Sequence, residues 1–585
     1  MKRAIARRRG NALLDRAVRG RMRKSTRTAL GAILLTAIAI RLSPLWSFLY
    51  WGSDTGEYFA ILRTLVRTGR VSIAYYGWGI TYPFFPGAFF PQAALVDLAG
   101  SDVSTVLNLL IPVLGAIAVL PIFLLTVHIA KDARFGLFAA AFLAGAIPHA
   151  YTTAHSAPAT LGDLFVFVSL LLFLRLRTDA RAFGPLLVVS GALIVTHHLS
   201  VYFLLLMVLG GIVIGGLVRP WSGDAGARRE IAFAGVLLFG TVAFWFGYAT
   251  TFRESILTDV DIHPWWVLFV GFAFGLAVLA ALVVLRRRLA WRYRPGSPRF
   301  RLAAASWGAA AVTLFAIGMV TVLRGVPGTT VRVPPEGLVY FVPLVALMSF
   351  SAAGRKFLDF NRNGFHPTAW LVALLLSAVV GIAVAPRVII PYRHLEYLLI
   401  PFAVFASVGF FRLIDLGGFR GRKRQIALAS CGALLLANCL SGIPSPSTFA
   451  GWREGTIPAA IDPAYWARDH ASGLIVTDHH ASSTVFGFGG LNATWDRATI
   501  PFQPFSVGNP FAGLRAIPSP SGTKDGTYVW IDRDMEAGLR LQPWDPAVPM
   551  DLAVLRKFDD SPFIKVFDNG YARVSWIAWG CDAAC

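Results

Sequence analysis

The chain reads as a succession of long apolar runs separated by short polar loops. Runs fall at roughly 29–48, 103–128, 135–149, 161–176, 184–197, 200–218, 231–249, 264–285, 302–323, 338–353, 368–385, 396–413 and 425–441. Their length and their lack of two-residue alternation predict helices that cross a bilayer, about 13 of them, although several fall short of the ~20 residues a span needs. Two stretches break the pattern. One is a long loop after the first run, Trp51 to Pro91, aromatic and punctuated by Pro and Gly; the other is everything after about 442. In the second, GLIVTDHHASSTVFGFGGLNATWD and VFDNGYARVSWIAW combine β-branched runs with turn residues, and the DNG predicts a hairpin. An α/β or mainly β domain of roughly 140 residues is expected there, behind the Pro/Ser linker SGIPSPSTF.

Composition sharpens this picture. Hydrophobic residues make up 56% of 585, charged residues 15%, and mean hydropathy is +0.60, which together exclude an ordinary soluble globular chain. A net charge of +22 would suit nucleic acid, but its placement does not. From Ser441 onward there are 11 Lys+Arg against 15 Asp+Glu, so the excess belongs to the membrane part, where it sorts into alternate loops. That is the positive-inside pattern. It predicts a basic cytoplasmic N-terminus (1–28), a membrane domain (29–441) whose first outer loop is 49–102, and an external domain (442–585), with no nucleic-acid partner. Among the four cysteines, Cys431 and Cys439 fall in the last apolar run, and Cys581 and Cys585 have a spacing that allows pairing.

The first outer loop holds Asp54 and Glu57, and a carboxylate beside a bilayer calls for a partner: a cation, a proton or a substrate group. The basic N-terminus, the first span, GSDTGEYFAILRTLVRTG and TYPFFPG resemble the first outer loop of GT-C glycosyltransferases. These enzymes use polyprenyl-phosphate-linked sugars and include the oligosaccharyltransferase catalytic subunits and protein mannosyltransferases. The layout of about 13 spans, long first loop and external C-terminal domain is similar to the oligosaccharyltransferase subunits. The resemblance implies that Asp54 is the catalytic or metal-holding carboxylate, with Glu57, Tyr58 and Tyr82 as its neighbours in the loop. Inverting sugar transfer needs a base for the acceptor or a cation for the departing phosphate, so a divalent cation, Mn or Mg, is a possible cofactor.

The other outer loops supply further candidates. PHAYTTAHSAPATLGDLF offers Asp163, preceded by His149 and His155, as a second carboxylate. ATTFRESILTDVDIHPWW contains Asp259 and Asp261 at a spacing that lets both reach one ion if extended. In LRGVPGTTVRVPPEGLVYF, Arg332 could meet a phosphate and Glu336 an acceptor, but VRVPPEG departs from the acceptor-holding motif of oligosaccharyltransferases. In APRVIIPYRHLEYLLIPFAVF, Arg393 and His394, followed by Glu396, precede a span containing Pro401, similar to the Arg-then-Pro opening of the corresponding oligosaccharyltransferase helix. An Arg there would neutralise a lipid phosphate through paired charge-assisted bonds. Neither ATWD (Trp495, Asp496) nor VTDHHASS (Asp478 to His480) matches the family's peptide-binding motif. The expectation is therefore a membrane glycosyltransferase acting on a glycan, lipid or protein acceptor, with an oligosaccharyltransferase-like enzyme as the alternative. The alternative from another class is a lipid or solute transporter or flippase, which predicts internal repeats and mid-span charges; no repeat is evident, and the candidate charges cluster at the outer ends of the helices.

Overall fold

The computed structural model describes residues 23–218, 225–259, 300–325, 335–358, 364–383, 389–445, 454–494, 505, 509–516, 526–539 and 551–579. It is a helical bundle with a small sheet domain at one end. Among the described residues nine helices are long and apolar enough to cross a membrane, from Lys24–Trp46 to Gly421–Ser441, and Ala133–Gly145, Ala180–Thr196 and Leu338–Gly354 are shorter apolar helices. Each predicted run coincides with one of these except 264–285, which lies outside the described residues. Burial differs sharply between spans. Most of the Pro391–Leu416 window is enclosed by protein, whereas Phe300–Arg324 is uncovered throughout, as suits a helix whose apolar side chains meet lipid.

Four helices carry the polar end of the bundle: α1 (Lys24–Leu42), α2 (Thr55–Thr68), α3 (Pro158–Leu176) and α4 (His394–Leu416). Helix α2 forms from the first outer loop and ends where Gly69 adopts a left-handed conformation, φ 66°. Its N-terminal half is buried against the sheet domain.

That domain follows the expectation of mixed α/β structure. Strand β1 (Tyr50–Trp51) lies in the first loop and pairs antiparallel with β2 (Gly455–Thr456) at the start of the domain. The main sheet has the order β4-β3-β5-β7-β6, built from β3 (Leu474–Val476), β4 (Asn492–Ala493), β5 (Gly526–Asp532), β6 (Ile564–Asp568) and β7 (Ala572–Ala578). β3 runs parallel to β4 and β5, while β5–β7 and β6–β7 are antiparallel. The DNG turn joins β6 to β7 as the sequence predicts. Cys581 and Cys585, with Trp495 and Asp496, lie outside the described residues.

The domain is locked onto α2 by close backbone approach. A side chain at Gly56 would put its Cβ 2.0 Å from the Ser483 carbonyl, and one at Gly487 would meet the Gly56 carbonyl at 2.4 Å. Only glycine permits that contact. Gly56→Ala is therefore expected to lower the thermal unfolding midpoint in detergent, overpacking costing about 1–3 kcal/mol. Gly31→Ala, which has open space around its Cβ, is expected not to lower it.

Candidate active site

The polar residues gather where the loop around Asp54, the stretch from His149 to Asp163 and the start of α4 meet. Asp54 occupies the N-cap position of α2, yet its side chain makes no capping hydrogen bond. Thr55, the first residue of the helix, donates its hydroxyl to the Gly52 carbonyl at 2.7 Å. The Asp54 carboxylate, half-buried, instead accepts from Tyr82 Oη at 2.8 Å and more weakly from Ser53 Oγ at 3.4 Å. Tyr58 stands beside it, its hydroxyl 3.5 Å from that of Tyr82. Burial pushes the Asp54 carboxyl above its usual value, while the hydroxyls and the Arg393 guanidinium pull it back down. Asp54, Tyr58, Tyr82 and Arg393 are thus brought together.

Arg393 is held at the N-terminus of α4 by an ion pair with Glu396 at 3.1 Å, and its side chain keeps 31% of its surface accessible, enough to meet an anion. Glu396 also accepts from Thr152 Oγ1 at 2.6 Å. Asp163, on α3, takes the Tyr397 hydroxyl at 2.5 Å, and His149 Nδ1 lies 3.6 Å from its other oxygen. Asp163 is fully buried, whereas Asp54 is half-buried.

Two candidates do other work in the structure. Glu57 points into its own loop, where Tyr75 Oη, the Trp78 N–H at 3.0 Å and the Gly79 N–H at 3.1 Å all donate to it. Burial raises its carboxyl to about 7 in spite of those donors. His394 packs between helices, with Ser377 Oγ 2.8 Å from Nε2 and the Pro391 carbonyl 3.0 Å from Nδ1. Arg332 and Asp261 lie outside the described residues, as do the side chains of Asp259 and Glu336.

Several groups at the site escaped sequence reasoning. Glu454, just beyond the linker, accepts from the Ser53 N–H at 2.7 Å and lies 3.7 Å from His155 Nε2. Thr152 and Tyr397 are ordinary residues of helices, and nothing in the local pattern distinguishes them. Among the described residues no three His, Cys, Asp or Glu side chains converge as a set for one ion. Asp54 and Asp163 each accept from a tyrosine hydroxyl.

No protein-family model matches the chain, and no curated protein matches it by sequence. Solved structures do. The oligosaccharyltransferase of Archaeoglobus fulgidus, crystallised with a tethered acceptor peptide containing the NVT sequon, superposes with a TM-score of 0.56 at 14% identity, over 88% of this chain and 70% of that one. ArnT from Cupriavidus metallidurans in the apo state gives 0.49 at 11% identity over 94% and 98%, a likeness too weak to argue from. The first shows the fold: this chain shares with that oligosaccharyltransferase a helical bundle bearing an appended domain.

The Glu57 contacts generate a test of that loop. Glu57→Ala strands three buried or half-buried donors, at about 1–3 kcal/mol for each one left unpaired. It is expected to speed proteolysis within residues 70–80, and Glu57→Gln, which keeps an acceptor oxygen, to do so less.

Proposed function

We propose that the protein is an integral membrane glycosyltransferase that moves a sugar from a polyprenyl-phosphate-linked donor to a glycan, lipid or protein acceptor on the outer face of the membrane. The observation that supports this most is that Asp54, free of any capping duty and partly accessible, lies close enough to Arg393 for that guanidinium's charge to lower its carboxyl. One group can take a proton; the other can meet a phosphate.

In this reading the acceptor's nucleophilic atom attacks the anomeric carbon and gives its proton to Asp54. The bond from that carbon to the phosphate oxygen breaks, and the electron pair leaves with the polyprenyl phosphate. Arg393, steadied by Glu396, meets the charge on the departing phosphate. Tyr82 and Tyr58 hold the Asp54 carboxylate in place. A carboxyl raised above its usual range is a better base at neutral pH than an unperturbed one. The fold shared with an oligosaccharyltransferase favours a peptide acceptor as the second reading, since that enzyme was solved with a sequon peptide.

The test is transfer from radiolabelled polyprenyl-phosphate sugars by the purified full chain in lipid, with glycan, lipid and sequon-peptide acceptors compared. Asp54→Asn is expected to lower kcat by about 10²–10⁴-fold. Arg393→Ala is expected to raise the donor KM by about 10–100-fold, the value of a charge-assisted bond. Because the base must be ionised, kcat/KM rises with pH, and burial places that rise above the usual carboxyl value of 3.8. Removing the Arg393 charge moves the rise of the residual rate to still higher pH. Activity that survives a chelator supports Asp54 as the base, whereas loss restored by Mn or Mg reassigns it to metal holding. Full activity in Asp54→Asn overturns the reading and makes transport the next assay.

The N-in, C-out orientation has its own check. With the native cysteines replaced by alanine, a cysteine at the exposed Asp560 is expected to be labelled by an impermeant maleimide only from outside the cell.

A further inference from the structure

We infer that Glu454, contributed by the external domain, is a positioning residue for Asp54: it grips the turn that aims the Asp54 carboxylate, so the site is incomplete without the first strand of that domain. This rests on Asp54 being the base.

The geometry carries the inference. Glu454 precedes β2, and both its main chain and its side chain bind the turn before Asp54. Its carbonyl accepts from the Gly52 N–H at 2.7 Å, and its carboxylate accepts from the Ser53 N–H at 2.7 Å. Two consecutive amides are thereby held by one residue. The ladder continues on the other side, where the Leu49 N–H donates to the Thr456 carbonyl at 2.9 Å.

The turn needs such a grip. Gly52 has φ +131°, a conformation that residues with side chains rarely adopt. A backbone in a sparsely populated region persists only when its surroundings over-determine it. The Asp54 side chain supplies no cap to α2 and takes only the weak Ser53 Oγ contact at 3.4 Å within its own turn.

The placement of Glu454 is costly enough to need a reason. Its side chain is 1% exposed. Burial lifts its carboxyl to about 8, the Ser53 amide lowers it, and the neighbouring Asp54 charge raises it further. An amide capture of Ser53 alone would not require an ionisable group. His155 stands beside the carboxylate as well: its Nε2 lies 3.7 Å from the same oxygen, which brings the second loop against the turn.

The experiment uses the full chain in lipid and the transfer assay above, with Glu454→Ala, Glu454→Asp, Glu454→Gln and Asp54→Asn. A base displaced by about 1 Å loses roughly 10²-fold in rate. Glu454→Ala is accordingly expected to lower kcat on the order of 100-fold while the donor KM stays within about twofold. Glu454→Gln, whose amide oxygen still reaches the Ser53 N–H, is expected to recover to within about tenfold of the unaltered protein. Glu454→Asp, one methylene short, is expected to remain impaired. If the alanine variant does not fold, the Gln and Asp variants decide: equal impairment of the two overturns the inference. So does a loss that falls on the donor KM rather than on kcat. An inactive Asp54→Asn beside a fully active Glu454→Ala overturns the inference and leaves the base intact; an active Asp54→Asn overturns the base itself.

Discussion

Taking charge out of water at the end of an apolar bundle costs several kcal/mol per ion, and the arrangement of this protein's polar end follows from meeting that cost. Arg41, 1% exposed on α1, donates to Thr153 Oγ1 at 2.8 Å and to the Ala37 and Ala144 carbonyls at 3.1 Å. Asp163 takes the Tyr397 hydroxyl, which also lies 2.7 Å from Ser200 Oγ. Glu396 takes both Arg393 and Thr152. Each charge is met by an opposite charge or by directed donors and acceptors. The consequence for Arg393 is orientation: a guanidinium with one edge held by Glu396 offers the rest of its fork in a fixed direction.

The second constraint is mechanical. A loop of the length of 49–102 would not by itself hold a carboxylate in place, and here it is not left to do so. Helix α2 packs against the C-terminal domain through Gly56 and Gly487, β1 pairs with β2, and Glu57 gathers the Tyr75–Gly79 segment. The aromatic ring contacts of Tyr50 and Phe59 with Phe488 extend the same interface, at centroid distances of 5.0 and 4.6 Å. The domain and the first loop form one hydrophobic core, so the domain is part of the site's foundation as well as an appendage.

Hydropathy made the spans legible, because a bilayer imposes length and apolarity on every helix that crosses it. The DNG hairpin was equally readable, since turn chemistry is local. Asp54 stood out for a similar reason: an acid among aromatics beside a span has few structural explanations. Glu57, three residues on, carried the same local signal but is consumed by its loop, a fact that depends on where Tyr75, Trp78 and Gly79 fold back. Arg393 was legible from its place at the head of a span, while its neighbour His394 turns toward Ser377 because adjacent residues on a helix face different directions. Glu454, Thr152 and Tyr397 were not legible. A two-residue strand has no periodicity, and hydroxyls acquire meaning only from partners distant in sequence.

The second outer loop shows how the two halves of the site are joined. From the single stretch PHAYTTAHS, Thr153 takes Arg41, His149 approaches Asp163, Thr152 donates to Glu396 and His155 approaches Glu454. Glu396 fixes Arg393, and Glu454 fixes the turn before Asp54. The relative placement of Asp54 and Arg393 is therefore set through this loop, since Glu454 holds the turn before the one, Glu396 holds the other, and both meet side chains of this stretch. The two histidines each lie beside a different carboxylate. The arrangement makes sense as a brace: α1, α3, α4 and the C-terminal domain, far apart in sequence, each meet a side chain of this one stretch.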